Sequence, residues 1–462
     1  MSASPTDASP ATLSRSLKNR HIQMIALGGA IGTGLFYGSA ASIQLVGPGI
    51  ILSYLIGGLA IYLIMRMQGE MSTQEPVSGA FSHFAYRYWG GFAGFLAGWN
   101  YWLLYVLVSM AELSVVGIYV NYWLPDFPAW ASALVVLVSI TGLNLLNVRL
   151  YGESEFWLAF IKIAAIVGMI VLGLLLIFLG SDQKASGLSN LWAHGGFLPN
   201  GIHGLLLSLV VVMFSFGGTE LIGITAGEAD DPRRSIPKAI NQVLWRILLF
   251  YVGALAVLVI LYPWNQIGSQ GSPFVLIFSN LGIPAAPDIL NLVVLTAAIS
   301  VYNSGMYSNG RMLYSLAQQG NAPRIFLRLS PRQVPWAGIL FSSACTLVIV
   351  VINFLVPEGA FMRIMAVATA AAATTWMMII LVHLRFRRAH DASTLHFLSP
   401  GFPWVNYLCA AFLVGLVGLM TQLDDTRPAV YVLPVWLLAL YVGYRLRRQP
   451  LSSPGECSSQ SV

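Results

Sequence analysis

Charged side chains are scarce in this sequence. Asp, Glu, Lys and Arg together make up 9% of its 462 residues, whereas a soluble domain carries roughly 25%. Hydrophobic residues make up 57%. A water-soluble surface cannot be built from this composition, which excludes an ordinary soluble globular protein.

Cysteine is scarce as well, and the familiar nucleotide and metal motifs are missing. Cys345, Cys409 and Cys457 are scattered, two in apolar stretches and one in the C-terminal tail, so neither a disulfide framework nor a metal site is indicated. The sequence contains no Walker loop, no zinc-helix motif and no soluble stretch large enough for an ATPase. We therefore expect no cofactor and no primary active transport.

Long apolar runs recur from Ile22 to about Leu446. A helix needs roughly 20 residues to cross a bilayer, and about twelve runs are long enough. They are far longer than barrel strands of about ten residues, and a single segment in lipid must satisfy its own backbone hydrogen bonds. The sequence thus predicts an all-α polytopic membrane protein with about twelve transmembrane helices embedded in a lipid bilayer.

The twelve helices are predicted at 22–43, 49–67, 92–123, 130–146, 156–180, 205–226, 243–262, 289–318, 338–356, 361–384, 404–420 and 430–444. Most basic residues then fall in loops on one side of the membrane, which makes that side, with both termini, cytoplasmic. Topology therefore explains the net charge of +6, and we expect no nucleic acid partner.

Two of the predicted helices are interrupted by glycine. The first contains Gly28, Gly29, Gly32 and Gly34, and the sixth contains Gly217 and Gly218 followed by Glu220. Such interruptions at matching places in two halves indicate a transport site, where unwound backbone is exposed near the middle of the membrane. Glycines that only let helices pack closely are the alternative, but the matched clusters and the adjacent carboxylate favour the transport site.

The spacing of the two breaks predicts the organisation of the chain. They lie five helices apart, an odd number, so the second repeat would be inverted relative to the first. Residues 1–20 resemble a cytoplasmic arm and not a signal peptide. The inverted-repeat core is predicted at 21–385, with repeats at about 21–181 and 203–385. Two added helices lie within 386–446, and 447–462 form a cytoplasmic tail.

Several motifs carry a family resemblance. The stretches 29–36 (GAIGTGLF), 69–71 (GEM) and 214–220 (FSFGGTE), and Gly227-Glu228 before Asp231-Pro232, resemble the amino-acid permeases of the amino acid/polyamine/organocation superfamily. Residues 18–36, 81–112 and 302–323 most resemble the bacterial aromatic amino-acid permeases, which import phenylalanine, tyrosine and tryptophan. Relatives that take histidine, proline or other neutral amino acids share much of this pattern, so these substrates stay open.

The resemblance implies both a fold and an activity. The fold is the LeuT-like five-plus-five inverted repeat with two added helices, and the activity is uptake of an amino acid coupled to proton entry. The resemblance also places the protein in the inner membrane of a bacterium. We expect the protein to be a monomer or a weak dimer. An amino-acid sensor of transporter ancestry is an alternative class. A membrane enzyme is not indicated, because no nucleophile, base and orienting residue assemble in the sequence.

A zwitterionic amino acid needs donors for its carboxylate and acceptors for its ammonium group. A half-helix that begins after Thr33 would present N–H groups and the positive end of its dipole to the carboxylate. Carbonyl groups left unpaired around Phe214 to Gly217 would accept from the ammonium. By resemblance, the segments in contact with substrate are Ile31, Gly32, Thr33, Gly34, Phe214, Ser215 and Phe216.

The third and sixth helices carry candidates for the side-chain pocket. Tyr101 and Tyr105 are four residues apart and share a helix face, where they would line a pocket with Phe214 and Phe216. Their rings would stack on an aromatic substrate or close over any amino acid. Glu220 directly follows the sixth-helix break and has the strongest claim among the acidic residues to the substrate site.

Lys162 is the first candidate for proton coupling. It lies inside the fifth predicted helix, where a charge costs at least about 2.5 kcal/mol, so it must be satisfied or neutral. In one interpretation its stem reaches the cytoplasmic boundary, since that helix begins only six positions earlier. The resemblance instead implies that its ammonium stands where sodium sits in sodium-driven relatives and exchanges a proton. Ser300, Asn303 and Ser304 are its expected polar neighbours.

Glu112 and Glu228 are two further acidic residues with candidate roles. Glu112 lies deep in the third helix and is either a proton-coupling residue or a protonated packing group. Glu228 lies near the cytoplasmic end of the sixth helix, where a gate or a loop anchor is favoured over substrate contact.

Overall fold

The computed structural model describes residues 24, 31–77, 80–179, 187–221, 223, 231–268, 272–280, 285–355 and 359–447. The regular elements within these ranges are all helical, as the apolar pattern predicts. Gly28, Gly29, Gly227, Glu228 and Cys457, which the sequence singled out, lie outside the described residues. The gate assigned to Glu228 therefore stays a prediction.

The helices of the bundle are labelled in chain order. They are α1 (a π-helical turn at Gly34–Gly38 that continues into Ser39–Val46), α2 (Ile50–Gln74), α3 (Ala80–Trp89), α4 (Gly91–Asn121), α5 (Ala129–Leu146), α6 (Val148–Leu179), α7 (Gly201–Phe214), α8 (Pro232–Leu261), α9 (Pro273–Asn280), α10 (Ala286–Gln318), α11 (Trp336–Leu355), α12 (Ala360–Ala389), α13 (Trp404–Leu419) and α14 (Arg427–Leu446).

The predicted number of transmembrane helices is confirmed. Within the described residues, ten helical segments are long and apolar enough to cross a membrane. One of them, Gly34–Gln74, contains both α1 and α2, and α7 is a shorter apolar helix. With these two counted, each of the twelve predicted helices has its counterpart. The short helices α3 and α9 are additional, and the hydropathy pattern did not predict them.

The first long span reverses direction at Gly47. Its φ of 63° is a conformation that favours glycine, and Pro48 follows, which has no N–H for a helical hydrogen bond. Consequently α1 runs antiparallel to α7, whereas α2 runs parallel to it. The contacts that show these directions are Gly34 with Ser215 and Leu45 with Gly204 for α1, and Ser53 with Ser208 and Gln68 with Glu220 for α2.

Four pairs of transmembrane helices that are five places apart pack antiparallel, as an inverted repeat requires. Besides α1 and α7, this holds for α2 and α8, for α4 and α10, and for α5 and α11. For α2 and α8 the contacts are Gly58 with Ile247 and Gly69 with Ile240. For α4 and α10 they are Gly98 with Leu316 and Tyr119 with Asn291. For α5 and α11 they are Thr141 with Ser343 and Trp130 with Phe354. The arrangement agrees with the five-plus-five fold, whose repeat boundaries stay a prediction.

The fifth transmembrane helix starts earlier than the sequence suggested. The prediction placed its first residue at Phe156, but α6 begins at Val148. Lys162 is therefore about 21 Å along the helix at 1.5 Å per residue, and it is fully buried. This depth excludes the interpretation in which the Lys162 stem reaches the membrane boundary. Glu155, which would have preceded the predicted helix, lies well inside α6.

The sixth transmembrane helix is broken, as predicted. The continuous helix α7 ends at Phe214, and a series of turns replaces it from Ser215 to Glu220. Gly218 has a φ of 93° within these turns, a conformation that residues with a Cβ rarely adopt. Glycine at this position therefore permits the break.

Candidate functional site

Ile31 and Gly32, which precede α1, are not helical, and we call them the first break and the turns from Ser215 to Glu220 the second break. The start of α1, directly after the first break, is in contact with the second break. A Cβ on Gly34 would lie 2.8 Å from the Cα of Ser215 and 3.1 Å from Cδ1 of Phe214. No side chain fits between the two backbones, so glycine is required for this approach. The structure thus brings together the two segments that the sequence assigned to the substrate.

Glu112 holds the beginning of α1. Both oxygens of its carboxylate accept from the Thr33 N–H, at 3.2 and 3.3 Å. A Cβ on Gly32 would lie 2.5 Å from Oε1 of Glu112, so this contact also depends on glycine. Glu112 therefore occupies a donor expected for the substrate carboxylate.

The carbonyl groups of the second break are engaged within the protein. The Phe214 oxygen accepts from the Gly217 N–H at 3.0 Å, and the Phe216 oxygen accepts from the Thr219 N–H at 3.3 Å. The Ser215 oxygen accepts from the Tyr251 hydroxyl at 3.0 Å. The Phe216 oxygen also accepts from the Thr219 hydroxyl at 2.9 Å, so both of its lone pairs are used. The Phe214 and Ser215 oxygens each keep a second lone pair for a substrate ammonium group.

The aromatic residues of the second break point in different directions. Phe216 is fully buried against Tyr54 of α2 and Tyr251 of α8, with ring centroids 5.8 and 5.4 Å away. The Phe214 ring lies 6.0 Å from that of Phe361 in α12. Residues two apart in a helical turn lie on nearly opposite faces. The structure thus directs Phe216 toward α2 and α8, away from the pocket expected with Tyr101.

Tyr101 and Tyr105 form a ring pair on α4. Their ring centroids are 4.8 Å apart, and Phe81 of α3 packs edge-on against Tyr101 at 4.6 Å. Both tyrosines are buried, and within the described residues their hydroxyls have no hydrogen-bond partner outside the pair. A hydroxyl can accept and donate at the same time. This pair therefore offers an incoming ligand aromatic faces and remaining hydrogen-bonding capacity.

Glu220 is fully buried beside the second break. Its carboxylate accepts from the Gly218 N–H at 3.2 Å and from the Trp376 indole N–H at 3.5 Å, and Arg246 acts on it electrostatically. The Gln68 amide donates to the Glu220 backbone oxygen. Glu220 thus connects the break to α2 and α12 by hydrogen bonds.

Lys162 joins the first break to α10. Its Nζ donates to the Ile31 carbonyl at 3.2 Å and to the Ser300 hydroxyl at 2.8 Å. The carboxylates of Glu112 and Glu155 act on it electrostatically. A buried ammonium group needs such acceptors and anions to offset its lost hydration. The position agrees with the cation-replacing role that the resemblance implies.

Asn303 and Ser304 lie near this group but do not bond Lys162 in the described contacts. The Asn303 amide donates to Glu155 at 3.2 Å, and the Ser304 hydroxyl lies 3.4 Å from that of Tyr151. Ser300 is therefore the one of the three predicted neighbours that contacts the lysine directly.

Glu155 and Arg246 are buried ionisable residues that the sequence analysis missed. The predicted helix boundaries placed both residues at or before the start of a helix, where a charged side chain can reach water. A signal was present for Arg246, because it stands inside the apolar stretch Val243 to Tyr262, where an arginine is costly. For Glu155 the signal is its spacing of seven residues from Lys162, two helical turns on the same face.

Comparison with known proteins covers almost the whole chain. A family model described as amino acid permease matches residues 21–450. The chain is 53% identical to the aromatic amino acid transport protein AroP of Escherichia coli strain K12, over 95% of this chain and 96% of that protein. The AroP of Salmonella typhimurium strain LT2 is 53% identical over 94% and 95%. The uncharacterized amino acid permease YtnA of Bacillus subtilis strain 168 is 48% identical over 96% and 98%.

Proposed function

Because the chain belongs to the amino acid permease family, we propose that it imports aromatic amino acids together with protons. Its family is one of transporters, so the protein is a permease and not an enzyme. The observation that carries the aromatic preference is the 53% identity to AroP, which extends over 95% of the chain. Phenylalanine, tyrosine and tryptophan are the substrates that this preference covers.

The substrate backbone is bound where the two breaks meet. Its carboxylate takes N–H groups at the start of α1 in competition with Glu112, since the Thr33 N–H already donates to the Glu112 carboxyl group there. Its ammonium group takes the second lone pairs of the Phe214 and Ser215 carbonyls. Ile31 and Ser215 complete the contact segments, because Ile31 is held by Lys162 and Ser215 by Tyr54 and Tyr251.

The substrate side chain packs against Tyr101, Tyr105 and Phe214. An aromatic pair contributes about 0.5–1.5 kcal/mol beyond the burial of its area. The two tyrosine hydroxyls, which within the described residues have no hydrogen-bond partner outside the pair, accept from a hydroxyl or indole N–H of the substrate. Glu220 orients this end of the site through its bond to Trp376.

Lys162 couples transport to the proton. When charged, its ammonium group holds the Ile31 carbonyl and so fixes the first break. When it loses a proton, it loses the charge that strengthens this bond, and the break is free to change conformation. Glu112 accepts from the Thr33 N–H at the start of α1 and acts on Lys162 electrostatically. A change in the charge of Lys162 therefore also changes the electrostatic environment of Glu112.

We place the protein in the inner membrane of a bacterium, with both termini in the cytoplasm. The guanidinium of Arg332 donates to the Leu146 carbonyl, and that of Arg385 donates to the Tyr88 carbonyl. The ends of several helices thus meet at one side with their basic residues, which favours the cytoplasmic face there. One chain supplies every proposed contact, so a monomer or weak dimer is sufficient.

Competition between amino acids tests the proposed substrate range. Purified protein in proteoliposomes loaded with unlabelled phenylalanine should exchange it for labelled phenylalanine outside. We expect tryptophan and tyrosine to compete at least about tenfold better than proline, because a difference of 1.4 kcal/mol is a factor of ten and proline has no aromatic ring to stack on the tyrosines. Equal competition by proline would contradict the aromatic preference.

The same experiment separates a permease from a sensor. A sensor of transporter ancestry binds labelled phenylalanine but does not exchange it across the membrane. Exchange that exceeds the rate in protein-free liposomes supports the permease.

A further inference from the structure

A second buried carboxylate lies two helical turns before Lys162. Glu155 is fully buried in α6, and the proposed substrate site does not contain it. Its Oε1 accepts from the Ser300 hydroxyl at 2.5 Å, and its Oε2 accepts from the Asn303 amide at 3.2 Å. A carboxylate at this depth is costly, so these bonds require an explanation beyond ordinary packing.

Ser300 bridges Lys162 and Glu155. Its oxygen accepts from the Lys162 Nζ at 2.8 Å while its own hydrogen is donated to Glu155 Oε1. A hydroxyl can accept and donate at the same time. The three groups therefore form a continuous hydrogen-bonded chain in which every donor faces an acceptor.

Asn303 fixes the orientation of the carboxylate. The Asn144 amide of α5 donates to the Asn303 oxygen at 2.8 Å, which leaves the Asn303 N–H group directed at Glu155. Asn144 is held in turn by its bond to the Ile140 carbonyl. Helices α5 and α10 thus hold Glu155 so that its other oxygen faces Ser300.

The chain leads toward one side of the membrane. Glu155 lies seven residues after Val148, the first residue of α6, and Lys162 lies a further seven residues along. Four residues before Glu155, the Tyr151 hydroxyl lies 3.4 Å from that of Ser304. The Tyr151 ring stacks on Tyr307 at 4.0 Å. Polar groups therefore continue from Lys162 to the start of α6, the end we assign to the cytoplasm.

We propose that Ser300 relays a proton between Lys162 and Glu155, and that Glu155 passes it toward the cytoplasm. The relay rests on the proposed proton coupling and extends it. In the forward step Lys162 gives a proton to the Ser300 oxygen while the former Ser300 proton moves to Oε1 of Glu155. One N–H and one O–H bond break and two O–H bonds form. A charged pair becomes a neutral pair, and no other reactant is needed.

The charged and titratable groups around the relay are few. Lys162 is the charged group that acts on Glu155, and Glu155, Glu112 and Arg246 act on Lys162. Tyr151, Tyr307 and Arg311 face the exit beyond Glu155, where the Arg311 guanidinium lies 3.4 Å over the Tyr307 ring. Neutralising the Lys162 and Glu155 pair removes two charges from the interior at once.

Glu155→Gln tests the relay because it keeps the size of the side chain and an oxygen for Ser300 but cannot take up the proton. We expect exchange of phenylalanine at equal pH on both sides to continue. Accumulation driven by an acid-outside gradient, and proton entry measured with a dye inside the vesicles, should fall about 100-fold, the typical effect of losing a proton-transfer group. Asp126→Asn, which removes the charge of an exposed carboxylate outside α6, should leave all three readouts unchanged.

Ser300 provides a second pair of variants. Ser300→Ala removes the bridging hydroxyl and should match Glu155→Gln, whereas Ser300→Thr keeps the hydroxyl and should restore accumulation. Wild-type accumulation in Glu155→Gln would overturn the relay. Equal loss of exchange and accumulation would also overturn it, since Glu155 would then be structural. Accumulation by the wild type shows that proton coupling itself holds, so failure of the relay and failure of the proposed function are distinguished.

Discussion

Lys162→Met should abolish proton-driven accumulation of phenylalanine while the protein still folds. Methionine keeps the long stem but has no ammonium group, so the bonds to the Ile31 carbonyl and the Ser300 hydroxyl are lost. We expect the initial rate under an acid-outside gradient to fall about 100-fold or more, as for the loss of a proton-transfer group. Labelled uptake into proteoliposomes, with size-exclusion profiles to confirm folding, measures the effect.

Two further variants separate the proton from the charge. Lys162→Arg keeps a positive charge but holds its proton under all ordinary conditions, so accumulation should also be lost. Lys238→Met removes an exposed lysine in α8 and should have no effect. Full accumulation by Lys162→Arg would show that a fixed charge suffices and that Lys162 does not release a proton.

Gly34→Ala should disrupt the substrate site without a change in charge. The added Cβ would lie 2.8 Å from the Cα of Ser215, and because this neighbour is backbone, the two breaks must move apart. In enzymes, a misplacement of about 1 Å costs about 100-fold, and we expect a loss of similar size in phenylalanine exchange. Exchange at equal pH is the appropriate measurement, since it does not depend on the proton.

Gly168→Ala is the matched control. Gly168 also lies in a transmembrane helix, α6, but a Cβ there has nothing within 4 Å. Alanine is the better helix former by about 1 kcal/mol, so this variant should fold and exchange normally. Normal exchange by Gly34→Ala would mean that the close approach of the breaks is not needed for transport.

The features that follow from local sequence were predicted well. The twelve apolar runs predicted the transmembrane helices, and the glycine clusters predicted the break after Phe214 and the start of α1. These properties depend on hydropathy and on the conformational freedom of glycine, which the sequence displays directly. The placement of Lys162 in the interior followed from the same pattern.

The features that depend on tertiary contacts were not predictable. Thr33 and Glu112 are 79 residues apart, and nothing local indicates that they bond. The direction of Phe216 depends on Tyr54 and Tyr251, which come from other helices. Glu155 was missed because a carboxylate near an apolar run normally marks the end of a membrane helix, whereas here Ser300 and Asn303 satisfy it inside the bundle.

Accumulation of labelled phenylalanine in proteoliposomes is the most direct test of proton-coupled transport. With the outside made acidic, the internal concentration should rise above the external concentration and return to it when a protonophore collapses the gradient. Entry that never exceeds the external concentration under the acid-outside gradient would contradict proton-coupled import, because the protein would then carry its substrate without using the proton.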